Sequence, residues 1–280
     1  TKGFRDGDVR PELLFFDTLD GNFAEDAAGR ILKQSGKAED FLLIIISKSG
    51  VTKETLAEAE FLANELKKKF PEAEDRIIAV TDENSRLWES AKARGIKVLA
   101  VPKKVGGRFS VFSAAGLLPL MAAGIDIPAM LKGAENMRKL CLSDNLAENP
   151  AAKSAAFLWH SRLNGKTIHD IFLFSPELES LGKWYRELLG ESIGKTEKAG
   201  ITPTVSIGST DLHSVGQLVL DGPKDKTSLF VSVSAAGGAS VPEKKERLFP
   251  KIAGVLSGKK FGEIMSALMK GAESAYGERK

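Results

Sequence analysis

The sequence predicts an α/β protein made of two tandem units, each a parallel sheet wrapped by helices on both faces. Three observations carry that prediction. Residues Phe41 to Ile46 form an unbroken apolar run rich in isoleucine, the pattern of a strand buried on both faces. Leu56, Ala59, Leu62, Ala63, Leu66 and Phe70 then recur at helical spacing. Finally, the alternation of strand and helix restarts after the polar stretch at 143–150, so the chain reads as two cycles.

Taken in order, the first cycle begins with a strand over 13–17, a helix over 23–34 and the strand over 41–47. A helix over 52–70, a strand over 76–81, a short helix around 87–93 and a strand over 97–102 follow. Helical segments over 110–123 and 128–142 close the cycle, the second opening on Pro128, where a missing N–H costs nothing. The second cycle reads as a helix over 151–163, a strand over 167–175 and a helix over 177–190. It continues with a strand near 204–207, a helix around 212–220, a strand over 228–234 and a final amphipathic helix over 261–276. The expected domains are 1–145 and 146–280.

The composition excludes several classes. At 280 residues the chain can hold two cores of ordinary size, and 42% hydrophobic with 28% charged residues is usual for a globular protein. Forty basic residues are interspersed with 37 acidic ones for a net charge of +3, which argues against a nucleic-acid partner. No apolar stretch reaches the length of a membrane span, so no membrane partner is expected. One cysteine, Cys141, rules out an intrachain disulfide and fits a reducing compartment, and its leucine neighbours suggest a buried small hydrophobe. With three histidines and one cysteine, no metal-ligand spacing is present.

Four turns concentrate the chemistry. Ser47-Lys48-Ser49-Gly50-Val51-Thr52 links a strand to a helix start, where orphan backbone N–H groups and the helix dipole favour an anion. The hydroxyls of Ser47, Ser49 and Thr52 add uncharged donors, so the loop reads as a phosphate cradle; simple helix capping is the competing reading. Gly106-Gly107-Arg108-Phe109-Ser110 offers close backbone approach and an arginine able to hold a developing oxyanion, with Ser110 starting the next helix. Gly190-Glu191-Ser192-Ile193-Gly194 sits at the end of a helix. Its glycines are expected to free the Glu191 carboxylate, and partial burial would fit it to act as a base on a carbon acid. Gly208-Ser209-Thr210-Asp211-Leu212-His213 places an imidazole in the first turn of a helix, with Gln217 one turn on. Together these groups suit a metal-free, nucleotide-free reaction on a phosphorylated, carbonyl-bearing substrate; neither a dinucleotide fingerprint nor a P-loop occurs. His160 and His169 read as structural.

The ordered set of these four segments resembles the glucose-6-phosphate isomerase (phosphoglucose isomerase) family, whose members are built from two sugar-isomerase (SIS) domains. Gly116-Leu117-Leu118-Pro119 and Gly124-Ile125-Asp126 extend the likeness. The resemblance implies two SIS domains and a cytoplasmic, cofactor-free, metal-free aldose–ketose isomerase of glycolysis and gluconeogenesis. Ser47, Lys48 through its backbone, Ser49 and Thr52 would hold the sugar phosphate, with Gly107 and Gln217 also lining the substrate. Glu191 would move a proton between C2 and C1 through a cis-enediol, and Arg108 would stabilise the intermediate's charge. His213 would assist ring opening from the neighbouring subunit of a homodimer. The family's upstream Gly-Gly-Ser loop and its C-terminal ring-opening lysine have no counterpart in this sequence. The expectation is therefore a central piece, its first SIS domain short at the N-terminus and its second at the C-terminus, with little isomerase activity of its own. A non-catalytic sugar-phosphate sensor and an isomerase of another phosphosugar are the alternative functions.

Overall fold

The computed structural model describes residues 11–197, 199–233, 238–243, 249 and 254–278. They divide into two compact units, one up to Arg138 and one from Lys139 on. The first runs α1 (Gly21–Gln34), β1 (Leu43–Ile46), α2 (Lys53–Lys67), β2 (Ile77–Thr81), α3 (Arg86–Ala93), β3 (Lys97–Ala100), α4 (Ala114–Ala122) and α5 (Ile127–Cys141), within which the division falls. The second runs α6 (Pro150–Leu163), β4 (Ile168–Leu173), α7 (Glu179–Ile193), β5 (Thr202–Ile207), α8 (Gly216–Asp221), β6 (Lys226–Val231) and α9 (Phe261–Glu278). Each unit holds a three-stranded, wholly parallel sheet flanked by helices, in the orders β1-β2-β3 and β5-β4-β6.

Several expected elements change in the structure. Residues 13–17 form no strand: they find no ladder partner among the described residues, and Phe16 instead packs its ring 5.3 Å from that of Phe23. β1 is a half-exposed edge rather than a strand buried on both faces, because among the described residues it pairs with β2 alone. α2 ends at Lys67 since Pro71 disfavours helical backbone at Phe70. The helix expected over 110–123 is split. A 3₁₀ turn spans Gly107–Phe112, and extended backbone at Ser113 begins α4, whose Oγ accepts from Ala115 N–H at 3.3 Å. Cys141 is half-buried rather than buried. The end of the strand expected over 228–234 lies outside the described residues, and β6 stops at Val231.

The first unit's core joins Ala38, Leu66, Phe70 and Ala73 to Ile31, Leu32 and Phe41. In the second, alternation along β4 sorts its residues between two helices. Leu173, with Val205 of β5, faces α7, so closely that a Cβ at Gly182 would lie 2.7 and 2.6 Å from their side chains. His169 points the same way: its Nδ1 lies 3.0 Å from Thr227 Oγ1, and burial lowers its pKa below the ordinary value. Phe172 and Phe174 face α9, packing with Phe230, Ala272 and Met269. Among the described residues no helix is long and apolar enough to cross a membrane.

One carboxyl interrupts this second apolar face. Asp170 is 5% exposed; its Oδ1 accepts from Thr204 Oγ1 at 2.6 Å and Ser206 Oγ at 3.0 Å, while Oδ2 has no partner among the described residues. Burial pushes its pKa above the ordinary 3.8, outweighing the two hydroxyl donors, and the Asp211 charge adds to the rise. The fold thus prefers the neutral acid. Its cost is absent below about pH 3.8, grows as pH rises and the unfolded chain ionises first, and levels off once the folded carboxyl also ionises. Asp170→Asn keeps an acceptor for both hydroxyls and removes the charge. Its unfolding midpoint is expected to match the parent's near pH 3 and to exceed it increasingly toward pH 7. Thermal melts across pH check this, and a variant less stable at pH 7 refutes it.

Candidate functional site

At the C-terminal edge of the first sheet, the turn after β1 is built as the start of α2. Ser47 continues the ladder, its N–H donating to Val80 O at 3.1 Å, and is 4% exposed. Gly50 N–H then closes the turn onto Ser47 O at 3.1 Å, with Gly50 at φ 68°, the left-handed region a glycine enters without penalty. Thr52 occupies the N-cap position, yet among the described residues its side chain accepts nothing from the helix amides. Its Oγ1 instead accepts from Ser47 Oγ at 2.9 Å, which leaves Thr52's own hydroxyl hydrogen to donate elsewhere. Ser49 Oγ accepts from Val51 N–H at 3.3 Å. Ser49 and Thr52 are exposed, so hydroxyls and helix amides meet at an open helix start.

The turn after β2 buttresses this loop, and sequence reasoning missed it. Lys48 O accepts from Asp82 N–H at 3.0 Å and from the fully buried Thr81 hydroxyl at 3.3 Å, while Lys48 Nζ meets Asp82 Oδ2 at 2.7 Å. Thr81 Oγ1 lies 2.8 Å from Ser85 Oγ, which caps α3 by accepting from Trp88 N–H at 3.1 Å. Ser85 also forms the floor under Gly50. The signal in the sequence was a strand ending in Thr-Asp with a serine three residues on, a turn and cap pattern.

Arg108 follows β3 at the same edge, in the 3₁₀ turn, half-buried with its guanidinium 4.8 Å from the Phe109 ring centre. Neither Gly106 nor Gly107 has a left-handed φ; a Cβ at Gly107 would meet open space. Gly116 is the glycine this segment requires, since a Cβ there would lie 2.2 Å from Val111 O.

In the second unit Glu191 lies inside the last turn of α7, with Gly190 helical beside it and Gly194 as the C-cap. Its carboxylate is therefore presented by the helix surface rather than released by flanking glycines, and it is exposed, so this unit does not supply the expected partial burial. A Cβ at Gly190 would lie 3.8 Å from Pro203 Cγ, which puts this end of α7 at the start of β5. His213 comes after the other end of β5. It caps a 3₁₀ turn (Thr210–Leu212) and precedes α8 rather than sitting in its first turn. Asp211 tightens that turn: its Oδ2 accepts from Ile207 N–H at 2.6 Å and its Oδ1 from Ser214 Oγ at 2.8 Å. His213 and Gln217 line one groove of about 930 Å³ between α8 and α9. Gln217 Nε2 also donates to Asp221 Oδ2 at 2.6 Å. The structure thus brings Ser47 and Thr52 together, and His213 with Gln217. It sets Glu191 and His213 at opposite ends of a six-residue strand, about 20 Å long.

Comparison with known proteins follows the same lines. The family model described as phosphoglucose isomerase matches residues 5–225. A glucose-6-phosphate isomerase of Methanocaldococcus jannaschii is 38% identical over 68% of this chain and 47% of its own length. One of Clostridium novyi is 34% identical over 88% of this chain and 55% of its own. The chain therefore spans about half the length of the curated relatives it matches. Among solved structures, the hypothetical protein TT0462 of Thermus thermophilus superposes with a TM-score of 0.84 at 30% identity, over 94% of this chain and 63% of that one. A glucose-6-phosphate isomerase from Chlamydia trachomatis shares the fold, with a TM-score of 0.70 at 22% identity over 90% and 48%. With most of its length matched by the family model, and with relatives at least 34% identical over two thirds or more of it, the chain belongs to the phosphoglucose isomerase family.

Proposed function

We propose that this chain carries the phosphate loop, the oxyanion-holding arginine and the general base of an isomerase that interconverts glucose 6-phosphate and fructose 6-phosphate. The two units correspond, on this reading, to its two SIS domains. The phosphate is held by Thr52 and Ser49, with Ser47 orienting the Thr52 hydroxyl, by the backbone of Lys48 and by the first amides of α2; Gly107 contacts the sugar, and Gln217, in the His213 groove, contacts that of a second copy. With the ring open, Glu191 takes the C2 proton of the aldose and returns it to C1, while the Arg108 guanidinium balances the charge on the cis-enediolate. The interconversion moves the C2 hydrogen to C1 and one hydroxyl proton from O2 to O1 without net oxidation, so no cofactor is assigned. His213 assists ring opening in the site of a second copy, because Glu191 and His213 stand at opposite ends of β5. A reducing, cytoplasmic setting suits the single Cys141.

The observation that carries this reading is the Ser47–Thr52 hydroxyl pair, which, among the described residues, leaves the start of α2 without a side-chain cap and its amides available to an anion. Ser47→Ala combined with Thr52→Val is expected to weaken fructose 6-phosphate binding by about tenfold or more, the worth of one hydrogen bond to a charged group. Titration calorimetry on the 280-residue chain checks it. Unaltered affinity in that variant overturns the assignment.

A further inference from the structure

We propose that Asp82 is a positioning residue of the phosphate loop: it cancels the charge of Lys48, so that the phosphate is gripped by uncharged donors. This rests on the phosphate-binding reading of the Ser47–Thr52 turn. Asp82 is the first residue after β2, and it reaches back to the loop after β1 with both backbone and side chain. Its N–H holds Lys48 O at 3.0 Å and its Oδ2 holds Lys48 Nζ at 2.7 Å. The buried Thr81 hydroxyl reinforces the same carbonyl at 3.3 Å. One residue of the cradle is thus clamped at both its carbonyl and its ammonium.

The pair is part-buried, with side-chain exposures of 28% for Lys48 and 23% for Asp82, so salt screens it less than an open surface pair. Asp82 Oδ1 is buried and has no hydrogen-bond partner among the described residues, which makes the carboxylate dependent on the Lys48 ammonium for compensation. A lysine in an anion-binding loop would ordinarily be read as a phosphate ligand. Here its charge is directed to the neighbouring turn. The carboxylate is tolerable beside a dianion only while that ammonium stays in place.

Charge-removal variants separate the two roles of Lys48. Lys48→Met leaves the Asp82 charge uncompensated beside the phosphate, and fructose 6-phosphate is expected to bind about tenfold or more weakly. That loss should shrink at about 1 M salt, where the screening length falls to about 3 Å. Adding Asp82→Asn to Lys48→Met is expected to recover affinity to within about threefold of the unsubstituted chain, since the unpaired charge is gone. Asp82→Asn alone releases the ammonium and should steepen the salt dependence of binding, a readout that holds even where Lys48→Met lowers the unfolding midpoint. A double variant as weak as Lys48→Met identifies the ammonium as a phosphate ligand and overturns the proposal, as does an unchanged salt dependence in Asp82→Asn. An unsubstituted chain that binds neither fructose 6-phosphate nor inorganic phosphate refutes the loop's assignment itself, and the role of Asp82 with it.

Discussion

Glu191→Gln is expected to slow the interconversion of glucose 6-phosphate and fructose 6-phosphate by about 10²- to 10⁴-fold, the usual contribution of a positioned general base. Fructose 6-phosphate affinity should stay within about twofold, because the amide keeps the shape of the side chain and the phosphate contacts lie on other residues. That split, turnover lost with binding kept, marks an interaction made in the transition state. The measurement is a coupled assay beside a binding titration, on the 280-residue chain or on a longer natural form where that form turns over faster. Parallel loss of affinity would move Glu191 into substrate binding. Unchanged behaviour would favour a sugar-phosphate sensor that has no use for a base.

Gly50→Ala is expected to abolish measurable phosphate binding while both units stay folded. Gly50 sits at φ 68°, where an L side chain costs about 1–2 kcal/mol. A Cβ there would also lie 2.6 Å from Ser85 Oγ, 2.8 Å from Ser85 Cβ and 3.0 Å from Leu87 N. Two of those three atoms are a flexible side chain's own Cβ and the backbone of α3, so relief requires the loop or the helix start to move, at a further cost of about 1–3 kcal/mol. Movement breaks the Ser47–Thr52 pairing that the cradle depends on, whereas the core around Leu66 and Phe70 lies away from the turn. Titration with fructose 6-phosphate and a thermal melt give both halves of the result. Retained affinity would mean that the turn can reshape without consequence, and that its glycine serves folding only.

Much of the fold was legible in the sequence because periodicity reports the solvent contrast an element must satisfy. The strand–helix alternation, the stripe along α2 and the start of α5 with Pro128 in its first turn all rest on such local signals. The departures arise where a partner some distance away in the chain decides. Residues 13–17 are apolar enough for a strand and pack as a ring pair instead. Phe41 to Ile46 read as doubly buried, although among the described residues β1 forms an edge and Leu42 is 40% exposed. Asp170 could not be foreseen as buried, since its hydroxyl donors come from a neighbouring strand more than thirty residues on.

The site divides the same way. By itself the sequence determined which residue types stand in each of the four segments, because the chemistry of an anion loop, a guanidinium, a carboxylate and an imidazole is local to the side chains. Only the tertiary structure decided that Thr52 pairs with Ser47 instead of capping α2, and that Asp82 holds Lys48. It alone set Glu191 and His213 at opposite ends of one strand. Each of those outcomes depends on a distance between groups far apart in the chain, and such distances are fixed by parallel strand register and close helix packing, which no local pattern of residues encodes.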